Sequence, residues 1–316
     1  MSPRAWGAFA AVSVLWGIPY LFIKVAVDEG VPPAFLAWSR VLLAAAVLLV
    51  LAWRAGTLGS ARGKGRWIAA YAVLEISIPF PLIAAGEQDV SSSLAAILIA
   101  TVPLMIALLA LRFDHSERVQ GRRLFGLFVG FGGVVALVGI DVAGDTPELI
   151  GAGLILLAAA GYSAGPMVLN HFLGDVDPRA VLGLALGIAA VVLTPFALLD
   201  PPESTPSGQA LGAIVVLALF CTALAFVMHI LLLREVGPSK AAVITYVSPV
   251  VAVALGVAVL GERPGVGAVA GLLLILAGSW LSTGGGLPPG LARGKPLWLL
   301  GFSRSRVTTA PERFRS

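Results

Sequence analysis

The chain has 316 residues, of which 58% are hydrophobic and only 12% are charged, and its mean hydropathy is +0.96. A soluble domain of this length needs far more polar surface, so the composition excludes a soluble globular protein and predicts a membrane protein. The net charge of +4 does not indicate nucleic-acid binding, because the basic residues fall between the apolar runs, and the single cysteine, Cys221, excludes an internal disulfide.

Apolar runs of about 20 residues recur along the chain, which is the length that a helix needs to cross a hydrocarbon core of about 30 Å. We therefore predict an all-α integral membrane protein with ten transmembrane helices. The predicted spans are residues 5–27, 33–52, 67–86, 92–111, 123–140, 149–170, 180–199, 211–233, 240–260 and 265–282. A tail of residues 285–316 is rich in Gly, Pro and Arg and is predicted to be flexible.

The distribution of basic residues predicts the orientation. All Lys and Arg residues except Lys24, Arg40 and Arg263 fall on one side of the predicted spans or in the tail, and acidic residues dominate the loops on the other side. Because cytoplasmic loops carry the excess of Lys and Arg, both termini are predicted to be cytoplasmic and the protein to be a multi-pass protein of the cell (inner) membrane.

The sequence of residues 91–139 is repeated in residues 237–283. Ser93 falls on Ser239 and Pro103 on Pro249 at a shift of 146 positions, and Glu117 falls on Glu262 at a shift of 145. Such a constant shift indicates an internal duplication. Five spans in each half, an odd number, predict an inverted repeat of residues 1–142 and 147–284, an architecture typical of alternating-access transporters.

The chain resembles the EamA-type transporters of the drug/metabolite transporter superfamily over about residues 5–284. The matching pieces, quoted by their residue numbers, are 15–17 (LWG), 40–45 (RVLLAA), 93–98 (SLAAIL), 222–223 (TA), 248–249 (SP) and 261–262 (GE). The resemblance implies ten helices, a central cavity and the transport of small metabolites, usually outward. The chain departs from the family in the first repeat, where Ser116 replaces the usual Gly of the Gly-Glu-Arg turn.

Two ionisable residues inside the predicted spans are candidates for function. Glu75 is the one acid expected inside a span, about 12 Å from the cytoplasmic side at 1.5 Å per residue, and such a group is costly unless it faces protein, water or a partner. It is interpreted as a proton- or cation-coupling site or as a structural acid. Arg40 is interpreted as a clamp for a substrate carboxylate or as a structural partner of Glu75 or of helix carbonyls.

Further candidates are aromatic, basic or proline residues. Lys24 and His229 have interfacial alternatives to a functional role. The aromatic residues, which would suit a cavity wall or ordinary packing, are Trp16, Tyr20, Phe80, Tyr162, Phe226 and Tyr246. The predicted kinks or hinges are Pro19, Pro103, Pro166 and Pro249, because a proline removes a backbone hydrogen-bond donor.

The leading hypothesis is a secondary transporter that exports amino acids or related small metabolites, with proton exchange as a candidate driving force. The alternatives are an efflux carrier for drugs and organic cations, and a non-transporting scaffold or receptor. An enzyme is not predicted, since neither a HExxH nor a GxSxG motif is present. No metal or cofactor is predicted. The expected partners are a small-molecule substrate, the lipid bilayer and protons as coupling ion, in a monomer or homodimer.

Overall fold

The computed structural model describes residues 2–113, 121–236, 241 and 243–282, and these residues form helices and connections without any β-strand. The predicted tail of residues 285–316 lies outside the described residues, as does Glu117. We number the helices α1 (Pro3–Asp28), α2 (Pro33–Arg54), α3 (Gly65–Asp89), α4 (Ser92–Ile99 and Val102–Phe113), α5 (Arg122–Leu137, continued by Val138–Val142), α6 (Thr146–Phe172), α7 (Pro178–Leu199), α8 (Gly208–Val236), α9 (Ile244–Leu260) and α10 (Val266–Ser282).

Eight of the helices in the described part of the chain, α1 to α8, are long and apolar enough to cross a membrane. The other two, α9 and α10, are equally apolar but have 17 residues each. The composition-based prediction of an all-helical membrane protein is confirmed. Most predicted bounds agree with the helices to within three residues, and proline at the first helical position begins α2 and α7, as its fixed φ favours.

Two of the predicted proline sites coincide with interruptions of a helix, and two do not. Helix α1 is interrupted at Ile18, directly before Pro19, and α4 is interrupted just before Val102 and Pro103. Pro166 and Pro249 instead lie inside the unbroken helices α6 and α9.

Three helices contain π-helical segments, which widen the helix by one residue per turn and occur often at functional sites. The segments are Val73–Ser77 in α3, Val138–Val142 at the end of α5 and Val216–Leu224 in α8. In α3 and α8 a side-chain hydroxyl donates a hydrogen bond to a backbone carbonyl five residues earlier. Ser77 donates to the carbonyl of Ala72 at 3.2 Å, and Thr222 donates to that of Leu217 at 2.8 Å. The π-helical segment of α3 contains Glu75 and that of α8 contains Thr222, two polar residues of the candidate site described below.

The most extensive helix contacts join α5 to α10 and α2 to α7, followed by α3 against α6. Helix α1 packs on both α9 and α8, and α4 packs on α9 and α6. Glycines allow the closest of these approaches. A side chain at Gly278 in α10 would meet the backbone of Gly130 and Gly126 in α5, and one at Gly86 in α3 would meet the carbonyl of Gly151 in α6. Small residues bring helices together in this way in membranes.

Charged residues at the helix ends hold the connections in place. The Asp141 carboxylate accepts hydrogen bonds from the backbone N–H groups of Gly267 and Ala268, the first turn of α10. At another helix end, the ammonium group of Lys64 donates to the carboxylate of Asp175 at 2.8 Å, which holds the pKa of that carboxyl below its usual value.

Candidate functional site

Arg40 is a charged residue in the helix interior. It lies in the first half of α2 with 8% of its surface exposed, and its Nε donates a hydrogen bond to Oγ1 of Thr222 in α8 at 2.8 Å. Thr222 accepts this bond because its own hydroxyl proton goes to Leu217 in the π-helical segment. The widened turn of α8 therefore positions the acceptor that orients the guanidinium.

Aromatic residues surround the Arg40 guanidinium. Its Cζ atom lies 4.2 Å from the centre of the Phe80 ring, within cation–π distance. The phenol groups of Tyr20 and Tyr162, from α1 and α6, interact electrostatically with the same guanidinium. Residues from four helices thus lie near one another: Arg40 from α2, Phe80 from α3, Tyr20 from α1 and Tyr162 from α6.

Glu75 lies in the π-helical segment of α3 and packs against α6. Its side chain is against Gly165, where any Cβ would clash with the carboxylate. The Oε2 atom is buried and has no hydrogen-bond partner among the described residues, and the phenol groups of Tyr71 and Tyr162 are its electrostatic neighbours. Within the described part of the chain, no ion pair joins Glu75 to Arg40, and Arg40 is held by Thr222 instead.

A second aromatic group lies between α1 and α8. The ring of Trp16 packs edge-on to Phe226 with centroids 6.1 Å apart and lies 4.7 Å from the ring of His229. Tyr246 lies in the first turn of α9 and is half-buried. Most of the predicted site residues therefore fall into two groups, one around Arg40 and one around Trp16, with Glu75 beside the first.

Glu87 is a buried acid inside a helix. The predictions that Glu87 lies in a loop and that Glu75 is the one acid inside a span are wrong, because α3 continues to Asp89 and Glu87 is fully buried within it. Neither oxygen of the Glu87 carboxyl has a hydrogen-bond partner among the described residues. The nearby ammonium of Lys24 in α1 donates to the Glu87 backbone carbonyl at 2.9 Å and pairs with Asp28 at 3.0 Å. Ile83 lies one helical turn before Glu87 and is also buried. This helical spacing is the sequence signal that would have placed Glu87 on the inner face of a helix.

Buried charged groups and aromatic rings make up the candidate site. In the residues that the structure describes, no group of three His, Cys, Asp or Glu side chains could hold a metal ion. The buried groups are a cation with hydrogen-bond donors, two carboxyls and several aromatic rings. Small-molecule sites in proteins commonly combine an apolar and aromatic lining with a few polar groups.

A family model described as "EamA-like transporter family" matches the chain twice, over residues 5–139 and residues 149–284. The chain belongs to this family. The EamA-like assignment covers all ten helices and makes the protein a membrane protein of a transporter family, as the sequence resemblance implied.

Relatives in bacteria and archaea are similar over most of the EamA-like chain. It is 30% identical over 264 residues to the "Uncharacterized inner membrane transporter YedA" of Escherichia coli K12, covering 81% of this chain and 83% of that one. It is 23% identical over 290 residues to an "Uncharacterized transporter" of Archaeoglobus fulgidus, covering 90% of this chain and 98% of that one. These relatives are named as transporters, and none of these names states a substrate.

A solved structure shares the fold. A protein known from its crystal structure superimposes with a TM-score of 0.64 at 20% sequence identity, covering 88% of this chain and 96% of that one. At this identity the likeness concerns the helical fold alone.

Proposed function

We propose that this EamA-like protein is a secondary active transporter that exports amino acids or related small metabolites by alternating access. One observation supports the proposal: the buried Arg40 of α2 donates a hydrogen bond to Thr222 of α8. Arg40 lies in the first segment that the family model matches, residues 5–139, and Thr222 in the second, residues 149–284, so this bond connects the two. Substrate sites of transporters lie at such repeat interfaces near the bilayer midplane.

The substrate class follows from the groups around Arg40. A guanidinium has five N–H donors, and the bond from Nε to Thr222 leaves those of the two Nη groups for a ligand. These are suited to a bidentate contact with a carboxylate. The rings of Phe80, Tyr20 and Tyr162 would pack against an apolar side chain. An amino acid offers both parts, a carboxylate and a side chain of moderate size.

The proposed architecture has ten membrane crossings in two inverted repeats, residues 1–142 and 147–284, with both termini in the cytoplasm. Its support is the pattern of helix contacts. If α1–α5 correspond to α6–α10, the α3–α6 contact has its counterpart in α8–α1, and α1–α9 has its counterpart in α6–α4. A 17-residue helix reaches about 26 Å at 1.5 Å per residue, which is near the hydrocarbon thickness, so α9 and α10 can complete the ten crossings.

Glu75 is the proposed coupling residue. A buried carboxyl whose Oε2 lacks a partner among the described residues is stable when neutral and ionises when water reaches it. Opening and closing of the cavity would therefore change its proton occupancy. The buried carboxyls also favour a second candidate function, the efflux of organic cations, because an aromatic cavity with a carboxylate suits a cationic ligand.

Transport by the purified protein tests this proposal. Proteoliposomes and protein-free liposomes would be compared for uptake of radiolabelled leucine, phenylalanine and tetraphenylphosphonium, with and without a pH gradient. Saturable amino-acid flux that responds to the gradient supports the proposal. Flux of tetraphenylphosphonium alone favours the efflux of cations, and no flux of any probe favours a scaffold or receptor.

A further inference from the structure

We infer that Glu87 is a second proton-binding site of the transport cycle, with the Lys24 ammonium as the cation that compensates it when it ionises. The inference rests on the proposed transport function, but its first test below does not require a substrate. Glu87 lies near the C-terminal end of α3, whereas Glu75 lies near its middle, and the 12 positions between them correspond to about 18 Å along a helix.

The environment of the Glu87 carboxyl favours its protonated form. Glu87 has no exposed surface, and both of its carboxyl oxygens lack hydrogen-bond partners among the described residues. An ionised carboxylate without partners is strongly disfavoured in such a place, whereas the neutral acid is tolerated. The described conformation is therefore the one that holds a proton on Glu87.

Several charged and titratable groups interact electrostatically with the Glu87 carboxyl. Helix α1 contributes Lys24, Asp28 and the phenol of Tyr20, helix α2 contributes Arg40, and the turn between α9 and α10 contributes Glu262. Helix α6 packs against this part of α3 through Gly151 and Ile155, which do not titrate.

Neither nearby cation donates a hydrogen bond to the Glu87 carboxyl in this conformation. Arg40 directs its Nε to Thr222. The Lys24 ammonium holds the backbone carbonyl of Glu87 rather than its carboxyl and also pairs with Asp28, whose side chain is 55% exposed. In the proposed cycle, a rotation of the Lys24 side chain moves its ammonium from Asp28 to the Glu87 carboxylate. Either a bound proton or the Lys24 ammonium then neutralises that carboxylate.

Glu87 is an electrostatic neighbour of the candidate substrate site and lies next to a residue that lines a cavity. Tyr20 and Arg40, which belong to the candidate site, both interact electrostatically with Glu87. The next residue, Gln88, lines a cavity of about 690 Å³ together with Glu29, Asp200 and Glu203. Glu87 itself does not line this cavity and is fully buried one residue along α3 from it. The inference therefore requires that water from this cavity reaches the Glu87 carboxyl when the protein opens.

Infrared spectroscopy of the purified full-length protein tests the site without a substrate. The C=O stretching band of protonated carboxylic acids would be compared at neutral pH among wild type, Glu87→Gln and Asp89→Asn, the last being a matched change of an exposed acid two residues away. We expect Glu87→Gln to lose one component of the band and Asp89→Asn to keep it. An unchanged band in a folded Glu87→Gln variant would overturn the inference.

A transport measurement tests the role in the cycle. With radiolabelled leucine as the probe and a pH-sensitive dye inside the proteoliposomes, wild type should move protons with substrate. Glu87→Gln should still move substrate down its own gradient but with fewer protons per substrate than wild type, and Glu87→Asp, which keeps an ionisable group, should recover part of the lost proton movement. Proton movement equal to wild type in Glu87→Gln would overturn the role. Absence of any leucine flux in wild type, with the infrared result intact, would instead overturn the proposed transport of this amino acid.

Discussion

The carboxylate of Glu262 accepts two hydrogen bonds from Ser93, one from its backbone N–H at 3.0 Å and one from its hydroxyl. It also accepts a bond from the backbone N–H of Ser92 at 2.8 Å. A residue in the turn between α9 and α10 therefore caps the N-terminus of α4, where backbone donors lack partners within the helix. Gly256 makes room for this contact, because a Cβ there would meet both Glu262 and the Ser93 hydroxyl.

Replacing Glu262 with Gln is expected to lower the thermal stability of the protein. The amide keeps one acceptor but replaces the other with a donor, which cannot accept from the N–H groups of α4. Hydrogen bonds to a charged group contribute about 1.5–3 kcal/mol each, so the apparent Tm in detergent should fall clearly below that of wild type. Glu203→Gln, a matched change of an exposed acid, should leave it unchanged. Equal Tm values for the two variants would show that the cap does not stabilise the fold.

Replacing Gly278 with Ala is expected to destabilise the contact between α5 and α10. The new methyl group would lie 2.6 Å from the carbonyl oxygen of Gly126 and closer still to the backbone of Gly130, so the helices must separate. Overpacking of this kind costs about 1–3 kcal/mol. Gly132→Ala is the control, because a Cβ there has no atom within 4 Å. Thermal unfolding should show a loss of stability for Gly278→Ala alone, and a loss of equal size in both variants would contradict the packing argument.

The helices could be predicted from sequence because the membrane imposes a length and a composition on each of them. Contacts between distant residues could not. Thr222 and Arg40 are 182 positions apart, and no local pattern links a threonine in one apolar run to an arginine in another. Glu87 was missed for a different reason: the polar sequence Glu87-Gln88-Asp89 is typical of a loop and outweighed the helical spacing between Ile83 and Glu87. The packing of α1 against α3 shows that Glu87 is buried.

Replacing Arg40 with Lys is expected to weaken transport of amino acids more than transport of organic cations. A lysine keeps the charge but loses the planar fork that can contact a carboxylate at two points. Flux of leucine should fall, whereas flux of tetraphenylphosphonium, if wild type carries it, should not. Thr222→Val is the companion variant, because it removes the hydroxyl that orients the Nε atom of Arg40 while keeping a similar shape. It should also lower the flux of leucine more than that of tetraphenylphosphonium. Equal losses for both probes would indicate a structural role for Arg40.

Replacing Glu75 with Gln is expected to abolish transport driven by a pH gradient while leaving substrate exchange intact. The amide resembles the protonated acid and cannot release a proton, so the substrate can still bind and cross but the gradient no longer supplies energy. Gradient-driven uptake and exchange would be measured in the same proteoliposome preparation. Gradient-driven flux at the wild-type rate would exclude Glu75 as a coupling residue.

Counterflow of substrate tests alternating access most directly. Proteoliposomes would be loaded with unlabelled leucine and diluted into a trace of radiolabelled leucine, with no pH gradient. A carrier that exposes one site to each side in turn should accumulate the label transiently above its external concentration, and Arg40→Lys should reduce this accumulation. Label that only equilibrates, or that enters no faster than in protein-free liposomes, would contradict the account of this protein as a carrier of amino acids.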